Sequence, residues 1–350
     1  MVLNKPCIIH LSHGTSFCSA APRQSIAAVA SVNGQVTLLQ PADGKGNVRL
    51  SKLGFGELRG ISVHPTKPLV AATEETGTLL VRDLDGSDRF ILDPPKLHAR
   101  GSEHPGFHNC LFDVGGEYLW CVNRVNEDQF EVQLRRATDA SIVSNVTVQD
   151  PFPGGSWAVL FPAGRSETAA LWLSTGQTDT QVYWLAYSDA DGLRCDDQPN
   201  LEWSFHPVFS PDGQEFLVPT GLDGLSRYRW SKNRWGQNLR CPGQPNDGFS
   251  YFLTYLNNTY ALVGTHYGRA YLVQSKTMRI VDEVIIEGHE LTVWDGPQVS
   301  RKEKSFNTDL SGFWRIGDTI AFAFPAPRQG KHQDGDDLLL FDIDAILARI

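Results

Sequence analysis

The sequence predicts an all-β fold built from a repeated four-stranded sheet, and three observations predict it. Turn formers and aromatics are plentiful while charge is sparse: 350 residues include 32 Gly, 20 Pro, 9 Trp and 18 Phe, with only 20% charged side chains. That balance suits many tight turns and half-buried strands, not a helical bundle. Apolar runs recur and each ends on a Gly turn: IAAVASVNG at Gly34, LVAATEETG at Gly77, FLVPTGLDG at Gly224 and YALVGTHYG at Gly268. Another strand-like run follows each at once (QVTLLQ, TLLVRDL, LSRYRW, RAYLVQS), which is the hairpin signal. These turns are also periodic. Gly34 to Gly77 and Gly224 to Gly268 are one repeat apart and Gly77 to Gly224 spans three, a period of about 45–50 residues, the length of a four-stranded β-propeller blade.

The chain divides into blades in order. Blade one is expected over residues 15–53 and blade two over 58–94. Blade three, over 107–148, opens with FHNCLFDVGGEYLWCVNR; blade four, over 156–198, carries WAVLFPAG, ALWLSTG and QVYWLAYSDADG. Blade five (203–241) carries HPVFSPDG, EFLVPTG and LSRYRW, and blade six (250–287) carries YFLTYLNN, YALVGTHYG, RAYLVQS and MRIVDEVII. Blade seven (310–350) has SGFWRIGD, TIAFAFPA and DLLLFDID and is one strand short, while PCIIHLS, within residues 6–12, is left over at the start. Pairing that strand onto the last blade would close the ring without a free sheet edge. The count is seven, and residues 1–350 are expected to form a single domain. A second turn class, PADG at Gly44, DLDG at Gly86 and DADG at Gly192, follows the third strands.

These features resemble the WD-repeat propeller family. FSPDG (209–213) and VHPTK (63–67) are similar to that family's turn between the first two strands of a blade. LLVRDL (79–84) and LLLFDI (338–343) resemble its third strand, with Arg82 and Phe341 in place of the signature Trp and with Asp83 and Asp342 keeping the Asp. Gly288-His289 resembles the family's Gly-His dipeptide but precedes a long insertion, and TVWDG (292–296) falls inside that insertion. The resemblance implies a propeller that binds other proteins.

The totals bound the partners and the compartment. Acidic residues outnumber basic ones 40 to 31, a formal net charge of −9, so the surface should repel nucleic-acid backbones. Six cysteines are scattered without a C-x-x-C pair, as in a reducing compartment. The start, MVLNKPCIIHLSHG, is too short and broken for a signal peptide, and no run approaches the roughly 20 apolar residues that span a bilayer. A cytoplasmic protein with no membrane contact is expected, and the NVT and NNT triplets at 145 and 257 are taken as incidental.

Several groupings invite a chemical reading. Ser210 and Asp212 could be catalytic, but no G-x-S-x-G elbow is present; Pro211 setting φ, Asp212 bonding the backbone and Gly213 at positive φ describe a turn. DLDGSD (83–88), DADG (189–192) and QDGDD (333–337) place carboxylates as a calcium loop does but lack its distant bidentate Glu; the first two fall where a third-to-fourth-strand hairpin wants Asp-Gly. His98, His104, His108 and Cys110 offer zinc-ligand types on a Pro- and Gly-containing stretch with nothing to hold them on one face. Phosphate-cradling motifs are missing from the sequence, and SRKEK (300–304) is a small basic run in an acidic chain. No cofactor and no metal are expected.

In a four-stranded blade, the turn between strands two and three and the link to the next blade leave the same end. The longest strand-free stretches, 93–106, 289–309 and 325–337, all belong to that end, and long loops in compact folds tend to carry function. The recognition residues expected there are Arg59, His104, His108, Trp157, Trp203, Tyr251, His266, Tyr267, Trp294, Arg301, Lys302, Arg328, Lys331 and His332, with Trp157 and Trp203 also expected to build core. The function expected is a non-enzymatic protein- or peptide-binding scaffold or regulatory subunit, within a larger complex or alone. A second reading stays open: a hydrolase or lyase of lactone or sugar-acid type, in which His108, His206 and His266 converge on the channel mouth.

Overall fold

The computed structural model describes the chain apart from residues 4–6, 22–25, 42–47, 95–105, 153–155, 165, 176–179, 198–206, 221–223, 230–233, 237–238, 242–248, 266–268, 287–290, 296–297, 304–311 and 326–334; at residues 2, 21, 41, 48–49, 197, 234–235, 250–251, 291–295, 298–303 and 325 it describes backbone alone. The fold is an all-β, seven-bladed β-propeller of four-stranded antiparallel blades. Two compact units comprise residues 16–203 and residues 1–15 with 204–350. The chain opens with β1 (Val2–Leu3) and β2 (Cys7–His10), both of which join sheets formed by its last third.

Residues 16–203 hold four blades. Blade one is β3 (Phe17–Ala21), β4 (Ile26–Ala30), β5 (Gln35–Pro41) and β6 (Val48–Gly54). Blade two is β7 (Leu58–Val63), β8 (Leu69–Glu74), β9 (Leu79–Asp83) and β10 (Asp88–Leu92). Blade three is β11 (Gly106–Phe112), β12 (Tyr118–Asn126), β13 (Gln129–Arg136) and β14 (Ile142–Gln149). Blade four is β15 (Trp157–Pro162), β16 (Thr168–Ser174), β17 (Thr180–Ser188) and β18 (Gly192–Asp197). Each sheet runs in simple chain order.

Burial explains the composition of these strands. The inner strand β4, IAAVA, is buried at every position, because a sheet covered on both faces needs a continuous apolar run. In β12 the two-residue period sends Leu119 and Cys121 into the core shared with blade two, and Trp120 and Val122 into the core shared with blade four. The outer strand β14 is mostly exposed or half-buried, with Val148 as its buried anchor.

In the other unit, blade five is β19 (Val208–Phe209), β20 (Glu215–Thr220) and β21 (Gly224–Arg229), with an outer edge split into β22 (Arg234–Trp235) and β23 (Leu239–Arg240), both paired to β21. Blade six is β24 (Phe249–Tyr255), β25 (Tyr260–Thr265), β26 (Ala270–Gln274) and β27 (Arg279–Ile286). A hairpin, β28 (Leu291–Asp295) and β29 (Gln298–Glu303), comes next. Blade seven is β30 (Gly312–Ile316), β31 (Thr319–Pro325) and β32 (Asp336–Asp342), completed by β2, whose Cys7 stands opposite Leu340 and His10 opposite Asp337. The leftover N-terminal strand therefore fills the place expected of it.

Three features differ from expectation. The stretch 289–309, expected to be free of strands, contains the hairpin β28–β29; QVSRKE has one apolar residue in six, so no apolar period marks it. β1 adds in parallel to the edge of blade six, Val2 opposite Ile285 and Leu3 opposite Ile286, a pairing too short to carry a period. After β32 the chain turns into a five-residue helix, α1 (Ile343–Leu347), whose N-cap Asp342 accepts a hydrogen bond from the Asp344 N–H and which buries Ile343 and Ile346. No described helix is long and apolar enough to cross a membrane.

Candidate functional site

The turns between second and third strands in residues 16–203 are tied to the links that follow. The Phe55 N–H donates to the Gly34 carbonyl at 3.0 Å, Phe107 N–H to Gly77 at 2.9 Å, and Asp150 N–H to Asp128 at 2.7 Å. Gly34 and Gly77 sit at φ +83° and +82°, in the left-handed region. A Cβ on Gly34 would overlap the carbonyl oxygens of Phe55 and Gly56, so glycine is required by both conformation and space. These bonds seat the start of each new blade, and with it Arg59, His108, Ser156 and Trp157, beside the turn of the blade before.

Two buried arginines form a floor beneath this end. Arg59 Nε donates to Glu75 Oε2 at 3.0 Å, Nη2 to the Glu75 carbonyl at 2.6 Å, and Nη1 reaches the Phe107 carbonyl at 3.5 Å. Arg124, 2% exposed, donates through Nη1 to Asp150 Oδ2 (3.1 Å) and the Glu127 carbonyl (3.0 Å), and through Nη2 to the Ser156 carbonyl (2.8 Å). Ser156 Oγ donates to Asp150 Oδ2 at 2.6 Å, and Asp150 Oδ1 accepts from the Phe152 N–H at 2.9 Å. The Arg124 guanidinium also lies 4.2 Å from the Phe130 ring centre, a cation–π contact. Paired and hydrogen-bonded on all sides, both charges can stay buried.

His108 lies between the two arginines. Its ring meets Phe130 edge-on at 5.2 Å and stands 6.2 Å from the Trp157 ring, while its carbonyl accepts from Thr73 Oγ1 at 3.3 Å. Contacts of a few ångströms therefore run from Glu75 through Arg59, Phe107 and His108 to Trp157, and from Ser156 through Arg124 to Glu127.

Of the recognition residues expected from the sequence, Arg59 and His108 are buried, at 9% and 2% exposure, and form floor rather than contact surface. Trp157 corrects the expectation that it builds core: it is 42% exposed. In β15 Ala158 and Leu160 take the inward positions, and the two-residue period leaves Trp157 on the other side. Tyr251, Trp294, Arg301 and Lys302 lie on described backbone in β24, β28 and β29, with their side chains outside the described residues. His104, Trp203, His266, Tyr267, Arg328, Lys331 and His332 fall outside them altogether, as do His98, His206 and the Gly288-His289 dipeptide.

Sequence reasoning missed Arg124, Asp150, Ser156 and Glu75. One signal was present: Arg124 lies in a largely apolar strand, LWCVNRV, and a cation there needs a buried partner. The exposed acids Glu57, Glu75, Glu127 and Asp128 on the same turns and links were also missed; singly, none stands out from a solvated loop.

The described turns at the opposite ends of the blades are closed mainly by their own residues. His64 is fully buried; its Nδ1 accepts from the N–H groups of Thr66 (3.1 Å) and Lys67 (2.9 Å), so Nε2 carries the proton and donates to the Gly116 carbonyl at 2.8 Å. Burial pulls its imidazole below the ordinary pKa. Asp113 does the same work in blade three, accepting from the N–H groups of Gly115 (3.0 Å) and Tyr118 (2.8 Å), with burial raising its carboxyl. In the other unit, Ser210 Oγ donates to Asp212 Oδ1 at 2.6 Å and accepts from the Glu215 N–H, and Gly213 takes φ +64°. The Ser-Pro-Asp-Gly pair is thus occupied in closing its turn. Asn257 Oδ1 likewise accepts from Thr259 and Tyr260. In DLDGSD, Asp83 pairs with Arg89, Asp85 accepts from Ser87 and Gly86 takes φ +92°, an Asp-Gly hairpin. Among the described residues, no three His, Cys, Asp or Glu side chains are grouped to hold a metal ion.

No protein-family model matches the chain, and no curated protein sequence matches it; what the site can do rests on its own geometry.

Proposed function

We propose that the chain is a non-enzymatic propeller that binds a protein or peptide at the 2–3 ends of its blades, as a scaffold or regulatory subunit of a larger assembly. The observation that carries this reading is Trp157: a large aromatic held 42% exposed above two buried arginines whose charges are already paired. An exposed aromatic over paired buried charges is the composition of an interface hot spot, whereas a catalytic centre needs titratable groups within reach of a substrate. The WD-repeat-like turns at 63–67 and 209–213 support the same reading by analogy of fold. The seven blades are proposed to act as one domain in the cytoplasm.

The test is affinity capture with quantitative mass spectrometry on wild-type, Trp157→Ala and, as control, Ile142→Ala, an exposed apolar residue at the start of β14. Partners captured by wild-type and by Ile142→Ala should be depleted at least tenfold by Trp157→Ala, a loss typical of a hot-spot aromatic. Retention of every partner by Trp157→Ala would remove this face from consideration.

A further inference from the structure

We propose that the outer edge of blade three is a self-association site: β14 of one copy pairs antiparallel with β14 of a second copy, joining two four-stranded blades into one continuous sheet. The edge belongs to blade three alone and is independent of the recognition at Trp157.

Open sheet edges invite pairing with another chain, and folded proteins blunt them with charge, brevity or a covering strand. The other described outer strands follow that rule. β6 carries Lys52, β10 carries Asp88 and Arg89, and β18 carries Arg194 and Asp196. β22 and β23 are two residues each and β2 is four. β27 is eight residues long and carries Arg279, Asp282 and Glu283; its edge is also covered, because β1 adds to it as a fifth strand. β14 departs from all of these. It is as long as β27, and its sequence IVSNVTVQ has no charge, no Pro and no Gly. Among the described residues, no strand pairs with its outer side.

Hydrogen bonding decides which groups this edge presents. The Asp150 N–H bonds back to the Asp128 carbonyl, and alternation from that pair turns the main-chain groups of Val148 and Val146 toward β13. Those of Asn145, Thr147 and Gln149 point away. The Gln149 carbonyl agrees with this, since it accepts from the Tyr183 hydroxyl of blade four at 2.9 Å. Asn145 and Thr147 are exposed, and their outward N–H and C=O groups are the open part of the edge. The carboxylate on β13 opposite Thr147, Glu131, is held by the side-chain amides of Asn123 (3.2 Å), Asn145 (2.6 Å) and Gln133, so it is not free to guard the edge.

A second copy fits this edge by symmetry. With a two-fold axis through Val146, Asn145 of each copy stands opposite Thr147 of the other, and each such pair exchanges both main-chain hydrogen bonds. Val146 opposes itself, and no charge on the strand is brought near its own copy. That neutrality matters because the chain has a formal net charge of −9, and charge at the seam would add to the repulsion between copies.

The experiment is sedimentation velocity of the full chain from about 5 to about 200 μM, the range in which a small interface associates, with amide hydrogen exchange at both limits. A monomer–dimer equilibrium is expected, tightened on raising salt from about 50 to about 300 mM because like net charges oppose it. Exchange within 142–149 should slow at the higher concentration. Thr147→Pro removes the outward N–H without breaking the β13 ladder, and Thr147→Lys places charge at the seam; each should weaken the dimer at least tenfold. Thr147→Val keeps the N–H and should keep the dimer. Thermal melts check that the variants are folded, and the Lys variant stands as the test where the Pro variant does not fold. A chain that stays monomeric at about 200 μM, or a dimer that survives Thr147→Lys, would overturn the proposal. If the chain is monomeric and Thr147→Lys instead removes a captured protein, the edge serves a strand of another protein and the second-copy proposal falls. Capture that depends on Trp157 is untouched by either result.

Discussion

The two ends of the blades in residues 16–203 are built by different means. At the 1–2 ends of blades two and three the turns close mainly on themselves: His64 and Asp113 accept N–H groups from residues two to five positions onward, and one bond, from His64 Nε2 to the Gly116 carbonyl, reaches the next blade. At the 2–3 ends of blades one to three the turn closes on the next blade, through Phe55 to Gly34, Phe107 to Gly77 and Asp150 to Asp128. The first arrangement needs mainly a short stretch of chain. The second requires blades to be packed already, and it gathers residues far apart in sequence, Arg59 with Glu75 and Arg124 with Ser156, beneath one exposed tryptophan. Binding surfaces are served better by the second kind of end, because what it presents is held by the whole unit.

The comparison is broken most severely at Asp150. Asp150→Ala leaves Arg124 charged and buried without its carboxylate, expected to cost about 3–5 kcal/mol in urea unfolding. Asp113→Ala at the other end removes a self-contained acceptor and should cost about 1–3 kcal/mol. Replacing both members, Arg124→Met with Asp150→Leu, should recover much of the larger loss. An Asp150→Ala loss no larger than that of Asp113→Ala would show that the inter-blade end is not the more strongly coupled of the two.

Glycines sharpen the same contrast. Gly34 and Gly86 both have positive φ, but a Cβ at Gly34 meets the backbone of the next blade while one at Gly86 meets nothing nearer than a Leu53 methyl at 3.8 Å. Gly34→Ala should therefore lower stability by about 2–3 kcal/mol and Gly86→Ala by about 1 kcal/mol, the conformational strain alone. Thermal melts of the two variants decide it.

The smallest effect is in pH, where the two local caps have opposite signs. The unfolded chain protonates His64 near pH 6.5, its ordinary value, whereas the buried acceptor geometry holds the folded imidazole neutral to lower pH. The unfolded state then binds more protons, so stability falls as pH drops below about 6.5. Asp113 is raised in the folded chain, so the folded state holds a proton that the unfolded state releases, and stability falls as pH rises above about 3.8, the ordinary Asp value. His64→Asn should flatten the first slope and Asp113→Asn the second, each leaving the other in place, in urea titrations across pH.

Much of the fold was legible because it is local and repeated. Gly34, Gly77, Gly86 and Gly192 all take the positive φ that their turn sequences imply, and Ser210 and Asp212 bond to their own turn as Ser-Pro-Asp-Gly predicts. The candidate site was legible only in part. Trp157 opens β15, and its exposure depends on which face β15 turns to the core. The burial of Arg59 was not legible, because nothing near it in sequence shows that Glu75 and the Phe107 carbonyl will enclose its guanidinium.

The sequence by itself determined the all-β class, the period, the seven blades, the use of the N-terminal strand to complete the last one, and the chemistry of most short turns. These are properties of segments a few residues long, repeated often enough to be read. Tertiary structure alone decided which charges are buried and that Trp157 faces solvent. Burial and pairing depend on the neighbouring blade, and a hydrogen bond such as that between Arg124 and Ser156 joins residues 32 positions apart, a separation across which a local pattern carries no information.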